Sequence, residues 1–390
     1  MSIDSSISLQ QAHGTFWDAA VVGAGLAGSV IARQLARQGC QVLLVERKQF
    51  PRPKVCGACL SQHSLDVLEH VGLGSIPLEL GGIPYDHFRL WSRGKMASLK
   101  LPTGVAVSRD ALDARLVEEA VASGVQFLSG TTAALGSVES DWRELRLVQR
   151  DQQTNVRARV VIAADGLTGQ LLTQVPEADY RTWEHSRIGA GVAIANEGSD
   201  YKQSAIYMGV GRHGYVGLVQ VENGGLNLAT ALDTQWVRQC GTIGRAVESV
   251  LADSGLPSVG NLSEAPWRGT PPMTRHARQI AFPRLFAIGD AAGYAEPFTG
   301  EGMAWAMTTA VVVVPFVLEA INAWHPRIAQ RWSACYHHIV RSRRNLCYRL
   351  STLLRFPQLV HSAVLVLSLC PWLASPFIRR LSYVPKEVYR

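Results

Sequence analysis

Residues 17–28 read Trp17-Asp18-Ala19-Ala20-Val21-Val22-Gly23-Ala24-Gly25-Leu26-Ala27-Gly28, an apolar run that stops at a Gly-x-Gly-x-x-Gly. Trp17 to Val22 predicts a short buried strand, and Ser29 to Arg37 has the composition of a helix that Gly39 stops. A second strand, Val42 to Val45, ends in Glu46, 23 residues after Gly23. This order is that of a dinucleotide-binding βαβ unit. Gly23 makes the tight turn, Gly25 lets backbone approach a pyrophosphate, Gly28 lets helix and strand pack closely, and the helix N-terminus attracts phosphate. Glu46 is placed to accept hydrogen bonds from the adenosine ribose.

A second formal match, Gly209-Val210-Gly211-Arg212-His213-Gly214, lacks that context. A β-rich run, Tyr215 to Val221, follows it, then Asn223-Gly224 and another strand-like run, Leu226 to Leu232. With no helix to aim a dipole at phosphate, it reads as a glycine-rich sheet turn.

The chain has 390 residues, 47% of them hydrophobic, enough for a large core and two or three domains. Its net charge of +7 is uneven: residues 321–390 hold 11 Lys and Arg against the single acid Glu387, or +10, leaving −3 for the first 320. A basic tail on a weakly acidic body argues against general nucleic-acid binding. Seven scattered cysteines and an N-terminus without a basic start or apolar run predict free thiols and a cytoplasmic setting.

The βαβ unit alone does not choose between FAD and NAD; later segments bear on that. Arg284 to Asp290 is an apolar strand ending in Gly289-Asp290, followed by Pro297-Phe298-Thr299-Gly300-Glu301-Gly302-Met303 and a long apolar helix. An acid at a strand end can bind a ribityl hydroxyl. A helix N-terminus near Gly300 would stabilise negative charge on the N1/C2 edge of a reduced flavin.

With these motifs, "PRPKVCGACLS" at 51–61, Arg109 in "VSRDALDARL" and Asp165-Gly166 after the strand Val160 to Ala164, residues 16–320 resemble the FAD-dependent oxidoreductases of the p-hydroxybenzoate hydroxylase fold, nearest to the geranylgeranyl reductase-like branch. The resemblance implies an α/β chain with a Rossmann-like FAD-binding domain (15–174 and 276–320), an inserted antiparallel β-sheet substrate domain (175–275) and C-terminal helices (321–390). It implies FAD held by Gly23, Gly25, Gly28, Glu46, Arg47, Lys54, Arg109, Asp165, Gly166, Gly289 and Asp290, with Gly300, Gly302 and Met303 at the flavin edge. NAD(P)H would be the electron donor, without a second nucleotide fold. The reaction implied is hydride transfer to a C=C bond or flavin-hydroperoxide hydroxylation of a small or medium apolar metabolite, isoprenoid or aromatic polyketide. Leu167-Thr168-Gly169-Gln170 stands where the aromatic hydroxylases carry Ser and Arg, and Tyr215 to Gln220 replaces the reductases' Tyr-x-Trp-x-Phe-Pro. An electron-transfer dehydrogenase at a membrane and a flavin-dependent halogenase are the weaker alternatives: the scattered cysteines do not form an iron–sulfur set, and the halogenases' Trp-x-Trp-x-Ile-Pro is missing.

Lys54-Val55-Cys56-Gly57 matches the reductases' Lys-x-Cys-Gly, which lies beside the isoalloxazine, and so makes Cys56 the catalytic candidate together with Gly300 and Gly302. Cys59, at the C-x-x-C spacing, leaves open a dithiol couple or half a metal site. No second C-x-x-C or C-x-x-H exists to complete the latter, so no metal is expected. Residues 175–275 alternate short β-like segments with Gly, Asn and Pro, and Tyr207, His213, Tyr215 and Pro297 are the substrate-pocket candidates. Phe356 to Ile378 has 23 residues without Asp, Glu, Lys or Arg and is flanked by Arg355 and Arg379-Arg380. That length permits a membrane span, but Pro357, Pro371 and Pro376 favour packed or interfacial helices, either a lid on the cavity or a peripheral contact with an anionic membrane.

Overall fold

The computed structural model describes residues 3–196, 201–296 and 298–382. Strand Phe16–Val22 lies between Val42–Val45 and Gln152–Ala163, parallel to both. Gln126–Leu128 and Leu285–Ala287 extend the sheet in parallel on either side, with Ala281–Phe282 antiparallel at one edge. Ala19, Ala20 and Val21 are fully buried, as is each residue of Leu43–Val45. Strands covered on both faces read as continuous apolar runs, which is why these two were visible without alternation. Helix Leu26–Arg37 packs on this sheet and against helices Arg109–Ala122 and Gly302–Val312.

The second sheet has eight strands in the order 268–272, 188–194, 226–232, 214–220, 204–211, 83–92, 95–106, 59–60. The expected boundaries are corrected here. Strands Cys59–Leu60, Ile83–Ser92 and Lys95–Ala106 come from the segment assigned to the FAD-binding domain. The sheet is also mixed rather than wholly antiparallel, because Ser204–Gly211 pairs in parallel with Ile83–Ser92. That junction joins residues more than a hundred positions apart, and no local pattern encodes it. The Gly209–Gly214 match is the tight turn of an antiparallel hairpin, with Gly211 paired to Gly214. Within 175–275 the structure also holds helices Thr234–Cys240 and Ile243–Ser254; the latter covers the sheet face that looks away from the first domain.

The C-terminal part is not separate. Helix Pro326–Leu353 inserts Trp332, fully buried, against the first sheet, where its Nε1 donates to the Ala287 carbonyl at 3.3 Å. The uncharged stretch breaks into helix Pro357–Leu369, a 3-10 turn Pro371–Ala374 and helix Ser375–Ser382, with a 104° bend between residues 344–353 and 357–369. A thirteen-residue helix reaches about 20 Å, short of a bilayer core. Among the described residues, one helical stretch, Gly302–Asn322, is long and apolar enough to span, and it packs inside the first domain.

Candidate functional site

One cavity of about 830 Å³ runs from the glycine turn, between the two sheets, to the C-terminal helices. At its first end Gly23 takes φ +103°, and a Cβ there would stand 2.4 Å from the Ala164 carbonyl, so only glycine lets the two strand ends meet. Helix Leu26–Arg37 starts at Gly25 with no side-chain cap, leaving its first N–H groups open to the cavity. The three atoms nearest to where a Cβ on Gly25 would stand are all charged tips: Arg52 Nη2 at 3.6 Å, Arg109 Nη2 at 3.8 Å and Lys54 Nζ at 3.9 Å. Three cations around an uncapped helix N-terminus form the environment a pyrophosphate needs, and the cradle fits FAD.

Each cation is held. Arg109 makes a two-pronged pair with Asp113, both bonds at 2.8 Å, and Arg52 bridges Glu46 at 3.3 Å and Asp113 at 3.4 Å. Burial works against the Arg109 charge, but Asp113 and Cys56 beside it outweigh that and hold its pKa above the ordinary value. Burial and the neighbouring Arg109 pull Lys54 down, while Asp290, 3.8 Å away, opposes them. Glu46 is fixed at the end of its strand by the N–H groups of Ala24 and Lys48. Arg52 and Asp113 escaped the sequence reading; an Arg109-x-x-x-Asp113 spacing on one helix face was the signal for the second.

Further along, Asp165, Gly166, Asp290, Gly300, Gly302 and Met303 line the cavity with Glu46, Arg47, Lys54 and Arg109. Gly28 instead packs beneath the turn, and the Gly289 N–H bonds Thr309 Oγ1 at 2.9 Å. Burial pushes the Asp165 carboxyl up to about 6, against the N–H bond it accepts from Leu171. Behind the glycines, buried His63 places Nδ1 3.2 Å from Glu301 Oε2 and Nε2 3.0 Å from Thr308 Oγ1. Thr308 already donates to the Ala304 carbonyl, so its Oγ1 is left to accept from His63 Nε2.

Cys56 lines the cavity as a half-buried free thiol. Cys59 is buried, its Sγ donates to the Gly57 carbonyl at 3.0 Å, and burial pushes its pKa well up.

The sheet wall is apolar: Phe88 and Leu90, Leu99 and Leu101, Ile206 and Met208 alternate along three strands, opposite Gly217, Ala229 and Ala231, whose lack of bulk leaves the space open. Tyr215 is in this wall. Two substrate candidates are corrected. Tyr207, adjacent to Met208, points to the other face by strand alternation, where it packs edge-on against Tyr201 and its hydroxyl accepts from Arg89 at 3.2 Å. His213 sits in the hairpin turn, stacked on Trp236 at 4.0 Å, outside the cavity lining. Pro297 lies outside the described residues. Behind Tyr215, buried Arg187 bridges Glu296 and Asp233, both at 3.1 Å, and Arg355 of the C-terminal part reaches the same Asp233 at 3.5 Å.

The FAD binding domain family model matches residues 17–327. Menaquinone reductase of Mycolicibacterium smegmatis is 28% identical over 367 residues, covering 87% of this chain and 85% of that one. Digeranylgeranylglycerophospholipid reductase of Methanosarcina mazei is 25% identical over 342 residues, covering 79% and 76%. The structure of a geranylgeranyl bacteriochlorophyll reductase-like protein from Thermoplasma acidophilum superposes with a TM-score of 0.75 at 20% identity, covering 90% of this chain and 91% of that one. A flavin-dependent brominase superposes at 0.76 with 14% identity, 94% of each chain covered, which shows the shared fold.

Proposed function

The chain belongs to the FAD binding domain family, and from that premise we propose that this FAD-dependent oxidoreductase saturates a C=C bond in the long apolar chain of an isoprenoid-type lipid. The observation that carries the reading is the cavity itself. A mostly apolar corridor opened by Gly217, Ala229 and Ala231 leads from the Gly300–Gly302 turn to the C-terminal helices, and its wall offers a chain a van der Waals surface. The names of the two reductases above point to substrates of that kind. FAD bound in the cradle supplies the hydride. Arg52, Lys54 and Arg109 would hold its pyrophosphate, and the uncapped N-terminus of helix Gly302–Val312 would stabilise charge at the flavin edge. Cys56, which lines the cavity, would supply the proton that accompanies hydride addition to the alkene, to be replaced from solvent. NAD(P)H is the electron donor, reaching the flavin without a nucleotide fold of its own.

The test is a single anaerobic turnover. Photoreduced holoenzyme mixed with a polyprenyl lipid should be reoxidised and yield a product heavier by two hydrogens. If reoxidation instead needs oxygen and the product carries one added oxygen atom, the enzyme is a hydroxylase and the reductase reading falls.

A further inference from the structure

The far end of the cavity is built by helices that show water an unusual surface. Helix Pro357–Leu369 carries two apolar faces. Val360 and Val364 are buried against the sheet and Ala363 and Leu367 line the cavity, whereas Leu359, Val366 and Leu369 point outward. Leu369 is 83% exposed and the following Trp372 69%. Phe356, Leu353, Leu373 and Phe377 continue the patch, and the last three also line the cavity, so the apolar surface and the cavity wall are one surface that turns inward. Monomeric proteins rarely leave a contiguous apolar area of this kind in water.

The charge that this segment itself carries has one sign. Residues 320–382 contain no Asp or Glu. Arg349 and Arg379 are exposed beside the patch. The helix and the 3-10 turn lie across strand Lys95–Ala106, whose Lys95 and Lys100 are exposed, as is Met96 between them. The His361 ring meets the Ser92 carbonyl at 3.2 Å and so brings exposed Arg93 to the same edge. An apolar centre rimmed by cations matches the layering of an anionic leaflet, acyl chains inside and phosphate outside.

We propose that this rim docks on an anionic lipid bilayer and that the cavity opens there into the acyl layer, admitting substrate from the membrane rather than from water. The docking half stands on the surface alone; the entry half rests on the function proposed above.

FAD-loaded full-length protein is tested by flotation with vesicles of phosphatidylcholine and phosphatidylglycerol, and with phosphatidylcholine alone. Association is expected on the anionic vesicles, weakening with salt, and a blue shift of Trp372 emission quenched by brominated acyl chains. Leu369→Ser with Trp372→Ser should lower the partition coefficient about tenfold or more while the protein stays yellow. Arg379→Glu should lower it by roughly fivefold or more. Equal flotation on both compositions overturns the anionic assignment. No flotation on either, or flotation indifferent to Leu369→Ser/Trp372→Ser, overturns docking, as does a dimer that the same pair dissociates without any lipid binding. Docking that persists while the anaerobic assay gives no saturated product removes only the entry half. Turnover of vesicle-borne substrate that the double variant leaves unchanged, while its turnover of detergent-dispersed substrate is also unchanged, overturns the entry half with the functional reading intact.

Discussion

Cys56 and Cys59 stand three residues apart in sequence and in different chemical surroundings. Both line the cavity, but Cys56 is half-buried, whereas Cys59 is buried, its Sγ bonded to a carbonyl and its pKa pushed up by burial. A dithiol couple needs an accessible thiolate on at least one partner and a reachable second sulfur, and burial opposes this at Cys59. Cys56→Ser should therefore lower the anaerobic turnover rate by about ten- to a hundredfold, as loss of a proton donor does. Cys59→Ser should stay near wild type, and equal losses in both would restore the redox pair. Asp165 gives a pH signature. Its carboxyl is raised from 3.8 to about 6, so between those values the folded protein holds a proton that the unfolded chain has released. Its contribution to stability is then greatest in acid and falls as pH rises through that window, leaving a constant cost above it. Asp165→Asn keeps an acceptor for the Leu171 N–H, so it should raise the melting temperature at about pH 8 and change it little near pH 4. A shift of equal size at both would refute the account. At this scale the glycines and Glu46 were legible because each serves its immediate neighbours. The misplacement of Tyr207 has an equally local cause: a strand's alternation separates odd from even positions without saying which set faces the cavity.

Elements whose ends carry their own signals were legible, and those chosen by distant partners were not. Strands Val42–Val45 and Leu226–Leu232 form where the apolar runs predicted them. Helix Ile243–Ser254 was readable but missed inside a β-rich region. Thr242 caps it by accepting from the Arg245 N–H, Gly255 closes it at φ +76°, and Ala246, Val247, Val250 and Leu251 make its buried stripe. No such signal marks the Arg187 cluster, which gathers charges 46 and 109 residues away to join strand Ile188–Ile194, the loop before the flavin turn and the C-terminal part. Burial pushes the Glu296 carboxyl up and Arg187 opposes it, so the pair is a joint whose halves depend on each other. Arg187→Met, which leaves a buried carboxylate without its counter-ion, should cost about 3–5 kcal/mol in denaturant unfolding. Adding Glu296→Leu should return most of that loss, and a double variant no more stable than the single would show that the pair contributes shape rather than charge compensation.

At the scale of the whole molecule, the cavity belongs to no single part. The first sheet contributes the phosphate cradle, the second the apolar wall, and the C-terminal helices the far end, with Ala363, Leu367 and Leu373 facing inward. The sequence showed each contributor as a class of segment: a nucleotide unit, a β-rich insert and an uncharged tail. Their meeting depended on the parallel pairing of 83–92 with 204–211 and on Trp332 docking against the first sheet, both long-range packing choices. If one continuous corridor binds the substrate chain, its length must be set at the end remote from the glycine turn. Ala363 is a small side chain at that end on a helix whose opposite residues are exposed, so a larger side chain can enter the corridor without crossing a packed core. Ala363→Trp should raise KM for a long polyprenyl substrate about tenfold or more, leave a one- or two-isoprene analogue near wild type, and leave the visible spectrum of the bound flavin unchanged. Equal loss for long and short substrates would mean that the helix had shifted as a whole. No loss for either would place the substrate chain outside this corridor and break the link between the cavity and the C-terminal rim.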